Sequence, residues 1–374
     1  MGTVDKDTPE FMEAVTNYAP RDFRFSEQEK VPAKPDGGVL VKVTRCGICA
    51  SDVKCYQGAP KFWGDAENEK FVMEPVIPGH EFVGEVVDID EKDAERFGIK
   101  IGDQVTSEQL VPCHKCLYCK KNKRWLCEKH DIYGFHQEVP GAFAQYMTFP
   151  AHSLIYNIAK HVEPTYAAYV EPLSCGVHGV ERAQVEAGDF VVVSGSGAIG
   201  LAMISTLKYD NLAKTIVALD CSDNRLEIAR KCGADIVMNP TKQDVVKEVK
   251  GMCGGYGCDV YLEASGAPAS VTQGILMTRK AGTFVEFSVF KEKTTVDWSV
   301  IGDTKELNIY GGHCSGDTGY KKAITMLEKN ALPIEEIVTH DVPLRDFANG
   351  MGMVTAGSHG DANSIKVVLD PWSH

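Results

Sequence analysis

Residues 191–205 read VVVSGSGAIGLAMIS. A run of valines passes without a break into a glycine-rich turn and then into an apolar helical stretch. Consecutive β-branched residues, apolar on both faces, suit a strand buried in a parallel sheet. Gly195, Gly197 and Gly200 form G-x-G-x-x-G, a pattern that carries meaning only in this strand–turn–helix setting. The first glycine permits the turn, the second lets backbone approach a pyrophosphate, and the third lets helix pack on strand. The helix opening at Ala198 and Ile199 offers its N-terminus to negative phosphates. A second apolar strand, TIVALD, ends at Asp220, twenty residues after Gly200. A carboxylate there accepts hydrogen bonds from ribose hydroxyls and repels a 2′-phosphate, which favours NAD over NADP. Its alternative role is a cap on the following helix.

Downstream, DIVMN, CDVYLEASG and GTFVEFSV read as strands, with DNRLEIARKCG and QDVVKEVKGM as amphipathic helices. This alternation predicts an α/β fold with a doubly wound parallel sheet of the Rossmann kind. The turns after LEASG and VEFSV fall at the carboxyl ends of strands, where such sheets bind ligands.

A different signal lies upstream. Residues 112–127 read PCHKCLYCKKNKRWLC, placing Cys113, Cys116, Cys119 and Cys127 at C-x2-C-x2-C-x7-C spacing. Zinc takes four thiolates at tetrahedral corners, about 2.3 Å from each sulfur, and two-residue gaps let a turn aim successive sulfurs at one point. Lys115, Lys120, Lys121 and Lys123 offset part of the charge. Four unrelated thiols, or an iron–sulfur cluster, are the alternatives. Zinc with four protein ligands has no position left for substrate, so it folds a loop rather than doing chemistry.

Three further segments hold metal-ligating residues: CGICASD from Cys46 to Asp52, PGHEFVGEVV with His80 and Glu81, and VEPLSCGVHG with Glu171. None is persuasive alone, since a lone His or Cys is more often packed core than ligand. Their joint order, with the four-cysteine loop and the glycine turn, resembles the zinc-dependent medium-chain dehydrogenase/reductase family over nearly the whole chain. The resemblance implies Cys49 and His80 as ligands of a catalytic zinc, with Glu81 coordinating in some members or states. Glu171 stands where classical alcohol dehydrogenases carry cysteine. Glutamate there is typical of the sorbitol dehydrogenase-like polyol branch, where it binds zinc or holds the zinc-bound water. Cys46 is expected to pack at a strand end. Ser51 takes the family's relay-hydroxyl position, while the next relay position, often histidine, is Lys54. The proton exit is then solvent, the cofactor ribose or Lys54 itself. By the same resemblance Arg225 lies along the adenosine, though a guanidinium also suits a 2′-phosphate, and Ser265, Gly266, Ser288 and Val289 lie near the nicotinamide.

The chemistry is coherent. Three or fewer permanent ligands leave an open position, and a Lewis acid lowers the pKa of a bound hydroxyl towards neutrality. An alkoxide releases hydride far more readily than an alcohol. The expected reaction is NAD-dependent oxidation of a secondary alcohol in a small polyol. GAPKFWGDAENEK, residues 58–70, reads as an insertion. Together with VTNYAP, ASDVKCY and VEFSVFKEKTTVDWSVIGD it resembles the members of that branch that act on erythritol and threitol. Phe62 and Trp63 line the pocket or make a subunit or domain contact. His313 reaches the active site or is structural, and His178 packs on the helix after Glu171. The alternatives are zinc dehydrogenases of butanediol, acyloins, inositol-like rings or threonine, and a non-catalytic zinc- and nucleotide-binding protein. The intact Cys49, Ser51, His80 and Glu171 argue against the last.

A chain of 374 residues suits two domains. Residues 1–168 are expected to form a GroES-like β-barrel catalytic domain with both zinc sites, since GVLVKVTRCG, FVGEVVDID and FAQYMTFP read as short strands between turn signals. Residues 169–312 form the nucleotide module and 313–374 return to the first domain. The active site is expected in the cleft between them. A net charge of −13 disfavours nucleic acid. The longest apolar stretch, near Phe190–Ser205, is interrupted by SGSG and too short for a bilayer. The opening MGTVDKDTPEFMEAV lacks a secretory apolar core, and Lys6 stands where myristoylation wants Ser or Thr. Thirteen cysteines, an odd count, fit thiols and metal ligands of a reducing cytoplasm. The resemblance adds two zinc ions per subunit and a homo-oligomer, tetramer or dimer.

Overall fold

The computed structural model describes residues 8–290, 293–358 and 364–373. The readings on Met1, Gly2 and Lys6 lie outside the described residues, as do Lys291 and Glu292. The described residues up to Glu171, with those from Val338 onward, form one compact unit, and Pro172–Ile337 form the other.

The second unit is built on a sheet of six parallel strands. Their order across the sheet is Ile236–Met238, Thr215–Leu219, Phe190–Ser194, Cys258–Glu263, Thr278–Glu286 and Asn308–Gly311. The first strand in sequence is central, so the winding reverses beside it, as a doubly wound sheet requires. Val191, Val192 and Val193 are fully buried there, which is why the run is apolar on both faces. Val192, Val217, Tyr261 and Phe284 share one core with Met277 and Ile275. Burying such side chains contributes about 1.5–3 kcal/mol each. Register brings Ser194 opposite both Leu219 and Glu263, so three strands end at one level.

Helices Ala198–Asp210, Asp223–Cys232, Val245–Met252 and Pro268–Met277 occupy the expected connections. Ser222 caps the second through a bond from the Arg225 amide, and Gly233 ends it in the left-handed region. Residues 313–337, expected to return to the first domain, pack in the second unit instead. The cause is the helix Gly319–Glu328. It buries Tyr320, Ala323 and Leu327, and Lys322 bonds Asp210 at 2.6 Å. The return begins at strand Val338–Pro343.

The first unit is mostly antiparallel. One sheet runs through Val338–Pro343, Lys366–Asp370, Val39–Gly47, Glu81–Ile89, Gln104–Ser107 and Ile155–Asn157, with Tyr146–Phe149 also paired to Val39–Gly47. A hairpin of Phe11–Ala19 and Asp22–Lys30 lies apart from this sheet. Met12, Ala14, Leu40, Val87 and Tyr146 make a core with Trp372 against it. The Trp372 indole N–H donates to the Val43 carbonyl at 2.6 Å, fastening the chain end to the sheet.

Candidate active site and structural metal loop

The first ligand set forms where two neighbouring strands meet a short helix. Strand Val39–Gly47 leads to Cys49, the N-cap of helix Ala50–Tyr56, and strand Glu81–Ile89 begins just after His80. Antiparallel pairing puts Gly47 opposite Glu81. The ligand atoms of Cys49, His80 and Glu81 thereby lie within 4.8 Å of one another. Asp52 does two jobs. Its Oδ2 accepts from the Cys49 amide at 2.9 Å, closing the helix start, and its Oδ1 faces His80 Nδ1 at 3.6 Å. The other ring nitrogen, Nε2, lies 3.5 Å from Ser51 Oγ.

The electrostatics call for a cation. Burial by itself would strip the proton from His80, but the Asp52 carboxylate, Cys49 and Glu171 hold its pKa well above the ordinary value. Lys366 is likewise buried, which disfavours its charge, yet Glu81, Cys49 and Glu171 keep its pKa raised. Its ammonium donates to Glu81 Oε1 and Oε2 at 2.7 and 2.5 Å and to the Ile48 carbonyl at 3.0 Å. Thiol, imidazole and carboxylate are zinc's donor types, and this buried, anion-rich group fits that metal.

Glu171 stands outside the close set. It lies in the first turn of helix Val170–Ala183, and its Oε1 accepts from Gln109 Nε2 at 2.8 Å. Cys46 is fully buried, its thiol pKa pushed far up chiefly by that burial, and it packs as expected. Phe62 is buried within its own unit, stacked on Phe135 at 5.3 Å, and Phe135 in turn faces the His80 ring at 5.5 Å. Trp63 donates its indole N–H to the Cys55 carbonyl at 2.7 Å. His178 is packed: burial, then Arg182, pulls its pKa down to about 4. His313 is exposed, with Nε2 3.2 Å from Cys314 Sγ.

The four-cysteine loop brings the sulfurs of Cys113, Cys116, Cys119 and Cys127 within 4.8 Å of one another. Strands Leu110–Val111 and Asp131–Ile132 pair at its base. Backbone amides point at the sulfurs: Cys113 at Cys127, Cys116 at Cys113, Cys119 at Cys116, all within 3.3–3.5 Å. Amides of Glu128 and Cys119 bring the Cys116 pKa down to about 6, while burial raises Cys119 to about 12. Amide donors of this kind stabilise thiolates, and the set fits tetrahedral zinc.

In the second unit the glycine turn has the expected anatomy. Gly195 adopts φ +94°, and its amide bonds the Leu219 carbonyl at 2.8 Å. A Cβ at Gly200 would sit 1.7 Å from the Gly195 carbonyl oxygen, so only glycine lets helix meet turn. Around Gly197, the N-cap of helix Ala198–Asp210, nothing lies within 4 Å of a Cβ position, a cradle that fits a phosphate at a helix start. Asp220 Oδ2 accepts from the Ser196 amide and Oδ1 from the Ser222 amide, both at 2.8 Å. Ser222 serves as the helix cap, so Asp220 braces the turn. Ser265 and Gly266 bond buried Glu263, and the Ser288 amide donates to Glu286 Oε1 at 2.6 Å. Val289 follows, exposed. Arg225 lies in the first turn of helix Asp223–Cys232.

Three site residues escaped the sequence reading. Asp52 lay inside a quoted motif but its role needed the fold. Gln109 and Lys366 carry no local signal, since each meets its glutamate only through tertiary pairing.

Residues 35–159 match the family described as Alcohol dehydrogenase GroES-like domain, and residues 198–329 match Zinc-binding dehydrogenase. The chain is 46% identical to the erythritol/L-threitol dehydrogenase of Mycolicibacterium smegmatis, across 97% of this chain and 98% of that one. It is 35% identical to the L-threonine 3-dehydrogenase of Pyrococcus horikoshii, across 88% and 91%. An alcohol dehydrogenase from Escherichia coli, solved with NADH, superposes with a TM-score of 0.82 at 25% identity, covering 97% of this chain and 100% of that one. Two zinc-type donor sets, a dinucleotide turn and full-length similarity to dehydrogenases lead to one conclusion: the chain belongs to the zinc-dependent medium-chain dehydrogenase/reductase family and is an oxidoreductase acting on alcohols.

Proposed function

We propose that the protein oxidises a secondary alcohol of a small sugar alcohol, of the erythritol or threitol kind, to a ketose, with NAD+ taking the hydride and one proton released. One observation carries the substrate class: 97% of the chain aligns at 46% identity with an erythritol/L-threitol dehydrogenase. Cys49 and His80 hold the catalytic metal, and Glu81 and Glu171 supply carboxylate beside it. Bound zinc supplies a Lewis acid that makes a substrate hydroxyl more acidic. Ser51 Oγ, 3.5 Å from His80 Nε2, receives the hydroxyl proton and passes it on. Asp52 Oδ1, 3.6 Å from His80 Nδ1, acts on the ring by its charge. Cys113, Cys116, Cys119 and Cys127 hold the structural zinc.

The fixed Asp220 carboxylate supports NAD over NADP, because its charge repels a 2′-phosphate and its remaining lone pairs suit a ribose diol. Gly195, Gly197, Ala198, Ile199 and Gly200 cradle the pyrophosphate, Arg225 lies by the adenosine, and Ser265, Ser288 and Val289 border the nicotinamide. A homo-oligomer, tetramer or dimer, and a cytoplasmic setting complete the reading. The thirteen cysteines, none of them in a disulfide, support that setting. Among the described residues no helix is long and apolar enough to cross a membrane.

The test is NADH formation by zinc-loaded protein with erythritol, both threitols, xylitol, sorbitol, myo-inositol, butane-2,3-diol and L-threonine. Turnover confined to the open-chain sugar alcohols, erythritol, the threitols, xylitol and sorbitol, is expected, and preference for butanediol or inositol would count against it. The 35% identity to a threonine dehydrogenase sustains a second reading, and preference for threonine would establish it.

A further inference from the structure

Two carboxylates serve the catalytic donor group, and they are anchored differently. Glu81 receives both its bonds from the Lys366 ammonium. Glu171 Oε1 receives its bond from the Gln109 amide at 2.8 Å, with both side chains buried, 3% and 6% exposed. An ammonium offsets the charge of the carboxylate it holds. An amide fixes an oxygen in place and adds no charge of its own. The sixty-two residues separating Gln109 from Glu171 make this a contact of the fold, not of local sequence.

Gln109 is itself held at the base of the four-cysteine loop. It directly precedes strand Leu110–Val111, which pairs with Asp131–Ile132. Its carbonyl accepts from the Tyr133 amide at 3.0 Å, extending that ladder by one bond. The loop bearing Cys113, Cys116, Cys119 and Cys127 runs out from this ladder and returns to it.

We propose that Gln109 is a positioning residue for the catalytic metal: its amide fixes Glu171 Oε1 beside the Cys49–His80 donors, and the four-cysteine loop sets that geometry through the ladder it closes. This rests on the zinc dehydrogenase reading above. Gln109 acts through Glu171, the side chain its amide holds.

The test uses Gln109→Met, which keeps length and volume but loses the amide, and Gln109→Glu, which keeps shape but sets a second carboxylate against Glu171. Each variant is compared with the native protein in three ways: steady-state oxidation of erythritol, the rate at which a chelator removes the more labile zinc, and the visible absorption bands after that zinc is exchanged for cobalt. The expectation is a fall in kcat of about 10- to 100-fold with KM little changed, faster zinc release, and shifted cobalt bands. Native kcat, release rate and bands in Gln109→Met would overturn the proposal and leave Gln109 a packing residue. Should that variant fail to fold, Gln109→Glu decides on the same readings. Should native protein leave erythritol untouched, the substrate reading falls, while zinc release and cobalt bands still decide for or against Gln109.

Discussion

At the scale of single residues, one ion pair buried in the first unit sets a test. Glu81 and Lys366 are buried together, 2% and 4% exposed, and joined by two bonds. Removing one partner leaves the other ionised away from water. Lys366→Met is therefore expected to destabilise the zinc-loaded protein by about 3–5 kcal/mol in urea unfolding, and adding Glu81→Gln to recover most of that loss. A Lys366→Met variant as stable as the native protein would show the pair to be idle. Asp220 makes a functional prediction. Asp220→Ala removes the charge proposed to repel a 2′-phosphate, so the ratio of kcat/KM for NAD to that for NADP is expected to fall about tenfold or more. Residue types in order along the chain pointed to Cys49, His80 and Glu81, whose ligand atoms the fold gathers, and to Glu171, which lies outside that close set. Lys366 and Gln109 were not legible from sequence, because a buried lysine or glutamine has no pattern until its partner is known.

At the scale of elements, periodicity told most of the story. The valine run became the central strand, and the stretches read as amphipathic helices became Asp223–Cys232 and Val245–Met252. The segment 313–337 defeated the reading because its helix is amphipathic in a way that fits either unit, and the choice is made by tertiary partners such as Asp210. The glycine turn sets a sharp test. Gly200→Ala puts a methyl group 1.7 Å from the Gly195 carbonyl, so helix and turn must separate. Weakened NADH binding by at least tenfold, read by fluorescence titration, is expected, with a stability loss of about 1–3 kcal/mol. Helix Val170–Ala183 carries a pH signature. The folded pKa of His178 is about 4, against 6.5 for the ordinary ring, with burial the main cause. Its folded pKa is depressed, so its contribution to stability is full above pH 6.5 and is lost as pH falls towards 4. The effect is on the order of 2–3 kcal/mol. His178→Gln is expected to flatten the difference between urea titrations at pH 7.5 and 4.5, and an unchanged difference would count against it.

At the scale of the whole molecule, two units carry two kinds of chemistry on one chain. The first holds both metal donor sets and the second holds the glycine turn, with the residues proposed to bind the nucleotide, from Gly195 to Val289, all in Pro172–Ile337. The broad division was visible in sequence because each unit has its own periodicity: short alternating strands in one, strand–helix alternation in the other. The substrate was not, because pocket shape depends on side chains brought together from distant segments. The most direct measurement is erythritol oxidation followed by NADH absorbance as zinc is withdrawn and restored, with bound zinc counted at each step. Two zinc ions per chain are expected, with activity vanishing as the more labile one leaves, while the protein stays folded, and returning in proportion to its replacement. Full activity in folded protein stripped of that zinc would contradict the account.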